Sequence, residues 1–447
     1  MSRLPKLLLC AVICAPGLAL AGGPGEGITL GNATLSPSVQ LSLFVDTNVA
    51  RANELLVEST QDADQAGYGS PGLDIRPALS VSYRSDALIG ELSYNQTGRA
   101  FFTRPDYSYW NDVGLRANLD LFPNRPFGLA VRDSFSFRNY PSPYTGDTTD
   151  TTTVNLGANL NSRSYNNLVV EGRYSPGSAL DLNAGFFVNT DVQNYFGGDA
   201  VSEASTALPS KLELGGVLKG RWRFFPRTLM LAQLDIASGS WSNLETQIPD
   251  GAGGNLTVEK ATSNLYWAFQ TGIAGQITNN IQANLFLGYG GLYSEGDTTD
   301  DVSGAAGLLG QFQMIYFLQQ GHSLSVGYTR RFSDAALMDY IVTNSYSAGY
   351  NGLFFSNLSV GAIGRVDFSN FNSSIQDEYD SRNDFTLSAN LTANYRLFPW
   401  MSVYALFRPA LTTASQNAAQ SESGLPFDND KYSVSQVQFF LGVRTVY

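Results

Sequence analysis

The chain has 447 residues, with 27 Lys and Arg against 39 Asp and Glu, a single His and a formal net charge of −12. A charge of that sign argues against nucleic-acid binding, which rests on Lys and Arg neutralising phosphates. One His leaves too little for a multi-His metal site or a His-based triad.

Charged residues make up only 15% of the chain, whereas a soluble domain carries about a quarter. Beyond the N-terminus there is no apolar run of about 18 residues, so spanning helices are not expected. The composition points instead to a membrane-embedded β-structure.

At the N-terminus, Arg3 and Lys6 precede the apolar stretch Leu7 to Leu20, and Ala19-Leu20-Ala21 is a small-x-small cleavage site before Gly22. Residues 1–21 are therefore expected to be a cleaved signal peptide, which takes the net charge from −12 to −14. Cys10 and Cys14 both lie in the removed segment, and neither is preceded by the small residue of a lipoprotein signal. Residues 22–36 are then a short periplasmic segment, too brief for a folded plug, and 37–447 the membrane domain.

From Leu35 onward the chain falls into segments with period-two alternation, apolar toward lipid and polar toward a lumen. Strands are expected near 37–47, 72–84, 87–102, 110–121, 127–138, 153–175, 179–192, 209–224 and 228–241. The series continues at 258–277, 280–294, 304–319, 322–333, 340–355, 357–369, 383–397, 400–412 and 431–447. The longest clear example puts Phe385, Leu387, Ala389, Leu391, Ala393, Tyr395 and Leu397 on one face and Thr386, Ser388, Asn390, Thr392, Asn394 and Arg396 on the other. Pro77 is awkward inside its segment, because proline lacks a ladder donor, and is expected at a bulge or strand end.

Short turns such as Arg84-Ser85-Asp86, Phe122-Pro123-Asn124, Phe225-Pro226-Arg227 and Phe398-Pro399-Trp400 alternate with long connections at 48–71, 139–151, 193–208, 242–257, 370–382 and 413–430. The predicted fold is all-β, an antiparallel up-and-down transmembrane barrel of about 18 strands with both termini periplasmic. In the last segment Phe439, Leu441, Val443 and Tyr447 share the lipid face, and a terminal aromatic of this kind resembles the signal read by the barrel-assembly machinery of Gram-negative outer membranes.

Charge is sorted along the pattern. Acids such as Glu54, Glu58, Asp147, Asp150, Asp377 and Glu422 gather in the long connections, best read as solvation of a rim that faces lipopolysaccharide. The bases fall on lumen-facing parities: Arg76, Arg116, Arg132, Arg163, Arg173, Lys219, Arg221, Arg223, Arg331, Arg365, Arg396 and Arg444. Glu91, Glu171 and Glu213 share that face with them, as do Asp74, Asp120 and Asp367. A charge on the lipid face costs roughly 2–4 kcal/mol at mid-bilayer, so the inward orientation is close to forced. Such a lining either guides an anionic or polyhydroxylated solute or braces the wall. Tyr266, Phe187, Phe286, Phe317 and Tyr404 also fall inward, where they could stack on sugar rings.

An enzyme is not expected. His322 lies in the predicted turn Gln320-Gly321-His322, away from the outer leaflet where a barrel hydrolase works, and no phosphate loop, metal-ligand cluster or cofactor motif is present.

The stretch Leu35-Ser36-Pro37-Ser38-Val39-Gln40-Leu41-Ser42-Leu43-Phe44-Val45-Asp46-Thr47-Asn48 resembles the opening of outer-membrane β-barrel porins found with exopolysaccharide and capsule export systems. The resemblance lies in an aromatic–x–Asp–x–Asn end to the first strand, and extends to Pro77 with Tyr83 and to the Phe-Pro turns. It implies a passive conduit for secreted polysaccharide, linked to the polymer-making machinery by a periplasmic export protein. A general or nutrient porin for small hydrophilic solutes, and a structural or adhesive surface barrel, remain the alternatives.

Overall fold

The computed structural model describes residues 27–47, 69–103, 108–138, 160–177, 179–196, 210–242, 245–249, 255–259, 263–295, 302–334, 340–372, 382–416 and 432–447. A short β1 (Ile28–Leu30) turns into β2 (Ala33–Asp46), which is followed by β3 (Ser70–Arg84), β4 (Leu88–Phe101), β5 (Tyr109–Leu121) and β6 (Phe127–Arg138). The wall continues through β7 (Leu160–Tyr174), β8 (Leu180–Phe196), β9 (Ser210–Phe225) and β10 (Thr228–Ser242). A separate hairpin, β11 (Glu245–Pro249) with β12 (Asn255–Glu259), interrupts it. Then come β13 (Ser263–Thr278), β14 (Ile281–Glu295), β15 (Val302–Gln319), β16 (His322–Asp334), β17 (Tyr340–Phe354), β18 (Leu358–Asn372), β19 (Arg382–Phe398), β20 (Met401–Gln416) and β21 (Tyr432–Val446).

Each wall strand pairs antiparallel with its neighbours, and β21 returns to β2 from Ser38↔Val446 to Asp46↔Gln438. The result is a closed ring of eighteen strands, with β1 paired to β2 just beyond the end of β21. Closure leaves no edge, so backbone donors and acceptors are satisfied within the wall, as a hydrocarbon surrounding demands.

The predicted strands are all present, with changed ends. β2 starts at Ala33, and the strand expected over 258–277 starts at Ser263, because 258–259 belong to β12. Residues 153–159 of another, and most of the long acidic connections, lie outside the described residues. The connections that follow β3, β5, β7, β9, β13, β15, β17 and β19, each of two to five residues, lie at one end of the barrel, hereafter the turn end, while the five-residue connection between β16 and β17 lies at the other. The opposite end, the loop end, takes all the longer connections.

Pro77 is at neither a bulge nor a strand end. It pairs in register with Val39 inside β3, while the β3–β4 ladder skips from Ile75↔Gly98 to Ala78↔Asn95. The missing N–H is thus absorbed by a local gap on one side only. Pro409 repeats the device: it pairs with Val437, and the β19–β20 ladder skips from Ser388↔Ala410 to Leu391↔Phe407.

Two periodicities explain the wall. Outward positions carry large apolar side chains that stay exposed in the protein alone, such as Leu43 at 61%, Leu287 at 60% and Leu308 at 70%. A continuous apolar belt of this kind is a surface for hydrocarbon, not water.

Inward positions are mostly polar; apolar residues cluster around Ala268, Leu309 and Phe332 and, more extensively, beside the seam. There Phe44 (2% exposed), Phe101, Leu406 and Phe440 (1%) pack together, joined by Tyr404. Phe44 meets Phe101 edge-on at 5.1 Å and stacks on Phe440 at 5.5 Å. Phe44 and Phe101 sit two strands apart, and contact is possible because Gly72 lies between them. A Cβ on Gly72 would collide with the Phe44 ring and the Ala100 carbonyl.

Candidate functional site: the lumen wall

The site is built by register. Residues paired across an antiparallel ladder share a face, so one assignment propagates around the ring. Starting from Asp74↔Arg99, Ser93↔Arg116 and Asn118↔Arg132, the ladders place Arg76, Arg116, Arg132, Arg163, Arg173, Arg221 and Arg223 on the face opposite the apolar belt. Arg331, Arg365, Arg396 and Arg444 follow on the other half of the ring, and Glu91, Glu171 and Glu213 fall on the same face. Phe187, Tyr266, Phe286, Phe317 and Tyr404 share it too. Phe439, Leu441 and Val443 lie on the outward face.

The loop-end half of this wall is tied by charge. Asp74 is fully buried; its Oδ2 accepts from Arg76 Nη2 and from Arg99 Nη2, both at 3.1 Å, and its Oδ1 forms an ion pair with Arg76 Nε at 2.6 Å. The Arg99 guanidinium also lies 4.9 Å from the Phe44 ring and 5.3 Å from Phe440, so it is held by an acid on one side and aromatic faces on the other.

At the seam, Gln436 and Gln438 both donate to the buried Asp46 carboxylate, at 2.9 and 2.7 Å. Thr47 and Val437 add backbone and side-chain bonds between β2 and β21. The aromatic–x–Asp end of the first strand is therefore a closure device: Phe44 and Asp46 fasten the first strand to the last.

A second network runs along β6 to β9. Glu171 takes Arg132 at 3.3 Å and Lys219 at 3.6 Å, Arg163 forks onto Asp191 at 2.7 and 2.8 Å, and Lys211 pairs with Glu213. Asn189 donates to Glu213 at 2.8 Å and accepts from Asn167. On β18, Arg365 pairs with Asp367 at 2.7 Å and donates to Ser345.

The turn-end half differs. Arg116, Arg221, Arg223, Arg396 and Arg444 are exposed and have no ion pair among the described residues. The polar strip on β14 to β19, with Gln282, Gln311, Gln313, Asn351 and Asn394, is exposed as well.

Three features escaped the sequence pattern. Asp133 falls on the outward parity, opposite Ala117 and Leu168, and its Oδ1 has no hydrogen-bond partner among the described residues. The signal was available: Arg132 and Asp133 are adjacent, so they cannot both face the lumen. Arg330 is also outward, donating to the Leu308 carbonyl and to Asn344, both at 3.1 Å. His322 opens β16 on the outward face, with its Nδ1 2.8 Å from the Tyr350 hydroxyl and its ring edge-on to Phe354 at 4.9 Å. That places the single His in an aromatic rim at the turn end, not beside a nucleophile.

No family model and no curated protein matches the chain. Among solved structures it is similar to the FrpB iron transporter from Neisseria meningitidis in its apoprotein form, at 9% identity and a TM-score of 0.46, covering 92% of this chain and 81% of that one. It is also similar to the ferric citrate transporter FecA (8% identity, TM-score 0.46, 96% and 82% covered) and the ferric-catecholate import receptor Fiu from E. coli K12 (9%, 0.43, 92% and 81%). Likeness at that level carries no argument about what this chain does.

Proposed function

We propose that the barrel sits in the outer membrane of a Gram-negative bacterium and serves as a passive conduit for secreted polysaccharide. The observation that carries the reading is the closed eighteen-strand wall whose inner face is predominantly polar. A ring of 16–18 strands leaves room for an aqueous channel. A lining of Arg, Gln, Asn, Ser and Thr offers many weak, exchangeable hydrogen bonds, which suits a polyhydroxylated chain that must slide and not stick.

In this reading both termini are periplasmic, so the turn end faces the periplasm and the long acidic connections face outward among lipopolysaccharide. The barrel-assembly machinery reads the strand ending in Phe439, Leu441, Val443 and Tyr447. A periplasmic export protein delivers polymer to the turn end. The resemblance of the first strand to barrels of polysaccharide-export systems supports the same assignment.

The test is total and cell-surface polysaccharide in a strain with the gene deleted in frame. Loss of surface polymer, restored by complementation, is the expected result. Unchanged surface polymer would refute it in favour of a small-solute porin, a reading that the exposed, water-facing arginines of the turn-end half also fit.

A further inference from the structure

The ionic balance of the lumen changes along its axis, and the change is confined to particular strands. Arg223, Arg396 and Arg444 each stand two residues from the turn-end terminus of their strand, so they occupy one level of the mouth. Arg221 lies one inward-facing position deeper on β9. In ring order β9 is eight strands from β19 and ten from β21, so these cations face each other across an eighteen-strand opening.

All four are exposed, and none has an ion pair among the described residues. The carboxylates of the same half are Glu91, Asp120, Glu171 and Asp181, all on the β4–β8 arc. Glu171 there is already occupied by Arg132 and Lys219, and Asp181 accepts from the Ser175 hydroxyl. Asp181 stands across the ladder from Arg221 without an ion pair to it, and no lumen-facing carboxylate stands on the turn-end half of β9 or of β19 to β21.

These four arginines take no part in bracing the wall: among the described residues the ion pairs of this half, Arg132 and Lys219 on Glu171, are made by other residues. Arginine presents a planar fork of donors that matches carboxylate, sulfate and phosphate groups. Cations lining one sign of an opening also raise the local concentration of anions.

We infer that the turn-end mouth is an anion-capturing ring, and that the polymer it admits is polyanionic. The inference rests on the conduit reading and adds a substrate class to it. Anionic groups on the chain exchange from arginine to arginine at the mouth, where each contact is exposed and therefore brief. They then enter a half in which the bases are already neutralised by acids, so the polymer is not held. The charge gradient favours capture at the turn end and release at the loop end.

Full-length protein in planar bilayers under a tenfold KCl gradient tests this. The expected reversal potential has the sign of chloride preference. The combined Arg221→Gln, Arg223→Gln, Arg396→Gln and Arg444→Gln variant moves it toward zero, and polygalacturonate oligomers block current at a concentration at least tenfold below neutral dextran of equal length. Potassium preference, or equal block by the two polymers, overturns the inference.

If the channel is silent, titration of the same two oligomers against detergent-solubilised protein gives the answer. Preferential binding of polygalacturonate, lost in the variant, supports it; equal or no binding refutes it. The deletion strain separates the two readings. Chloride preference with intact surface polymer removes polysaccharide export and leaves the anion-capturing mouth, whereas lost surface polymer with potassium preference does the reverse.

Discussion

The two halves of the lumen carry the same residue type for opposite purposes. At the loop end, Arg76 and Arg99 converge on a fully buried Asp74 and Arg163 forks onto Asp191. At the turn end, Arg221, Arg223, Arg396 and Arg444 stand in the open without an ion pair among the described residues. An arginine count cannot tell the two apart, and burial with partner geometry can. The first set holds strands together, and the second faces whatever enters.

The comparison can be broken from its stiff side first. Phe440→Ala, which empties a position only 1% exposed, is expected to lower unfolding stability by about 3–5 kcal/mol, read as a shift of the urea midpoint in lipid vesicles. Gly72→Val should fall in the same range, since the new side chain must displace Phe44. Asp74→Asn leaves two guanidinium groups without their carboxylate and should cost about 3 kcal/mol by the same measurement. A loss below about 1 kcal/mol in any of the three would mean that the loop-end half is not braced as described.

Smaller changes sharpen the contrast. Arg163→Gln removes a half-buried fork and should cost about 1–2 kcal/mol. Asp133→Leu should raise stability by about 1 kcal/mol, because a carboxylate on the lipid face is replaced by an apolar group. Arg396→Gln should leave stability within about 0.5 kcal/mol, with its effect appearing only in ion selectivity.

The strands were legible because a wall between hydrocarbon and water forces alternation for more than ten residues at a time, which few other surroundings do. β1 escaped because three residues are too few to show a period. The Glu245–Pro249 and Asn255–Glu259 hairpin escaped because it lies in a connection outside the wall, where no lipid imposes the pattern.

Which base meets which acid was partly legible. Asp74 with Arg76, Lys211 with Glu213, and Arg365 with Asp367 are two residues apart on one strand and so share a face by arithmetic. The pairs Arg99–Asp74, Arg163–Asp191 and Lys219–Glu171 depend on ladder register between strands, which alternation alone leaves open. For Phe44 and Asp46 the sequence supplied a resemblance, and the reason for the motif came only from the seam contacts with Phe440, Gln436 and Gln438.

Every part of the account depends on which face of the wall meets water and on how open the turn end is. Single cysteines introduced one at a time into a Cys10→Ser, Cys14→Ser background, in vesicle-reconstituted protein, measure this directly through reaction with a charged maleimide. Arg396→Cys and Arg444→Cys should label within minutes, Ser42→Cys should react at least tenfold more slowly, and Leu441→Cys should react only with a lipid-soluble reagent. Rapid labelling of Leu441→Cys by the charged reagent, with protection of Arg396→Cys and Arg444→Cys, would contradict the assignment of faces and the reading of the lumen built on it.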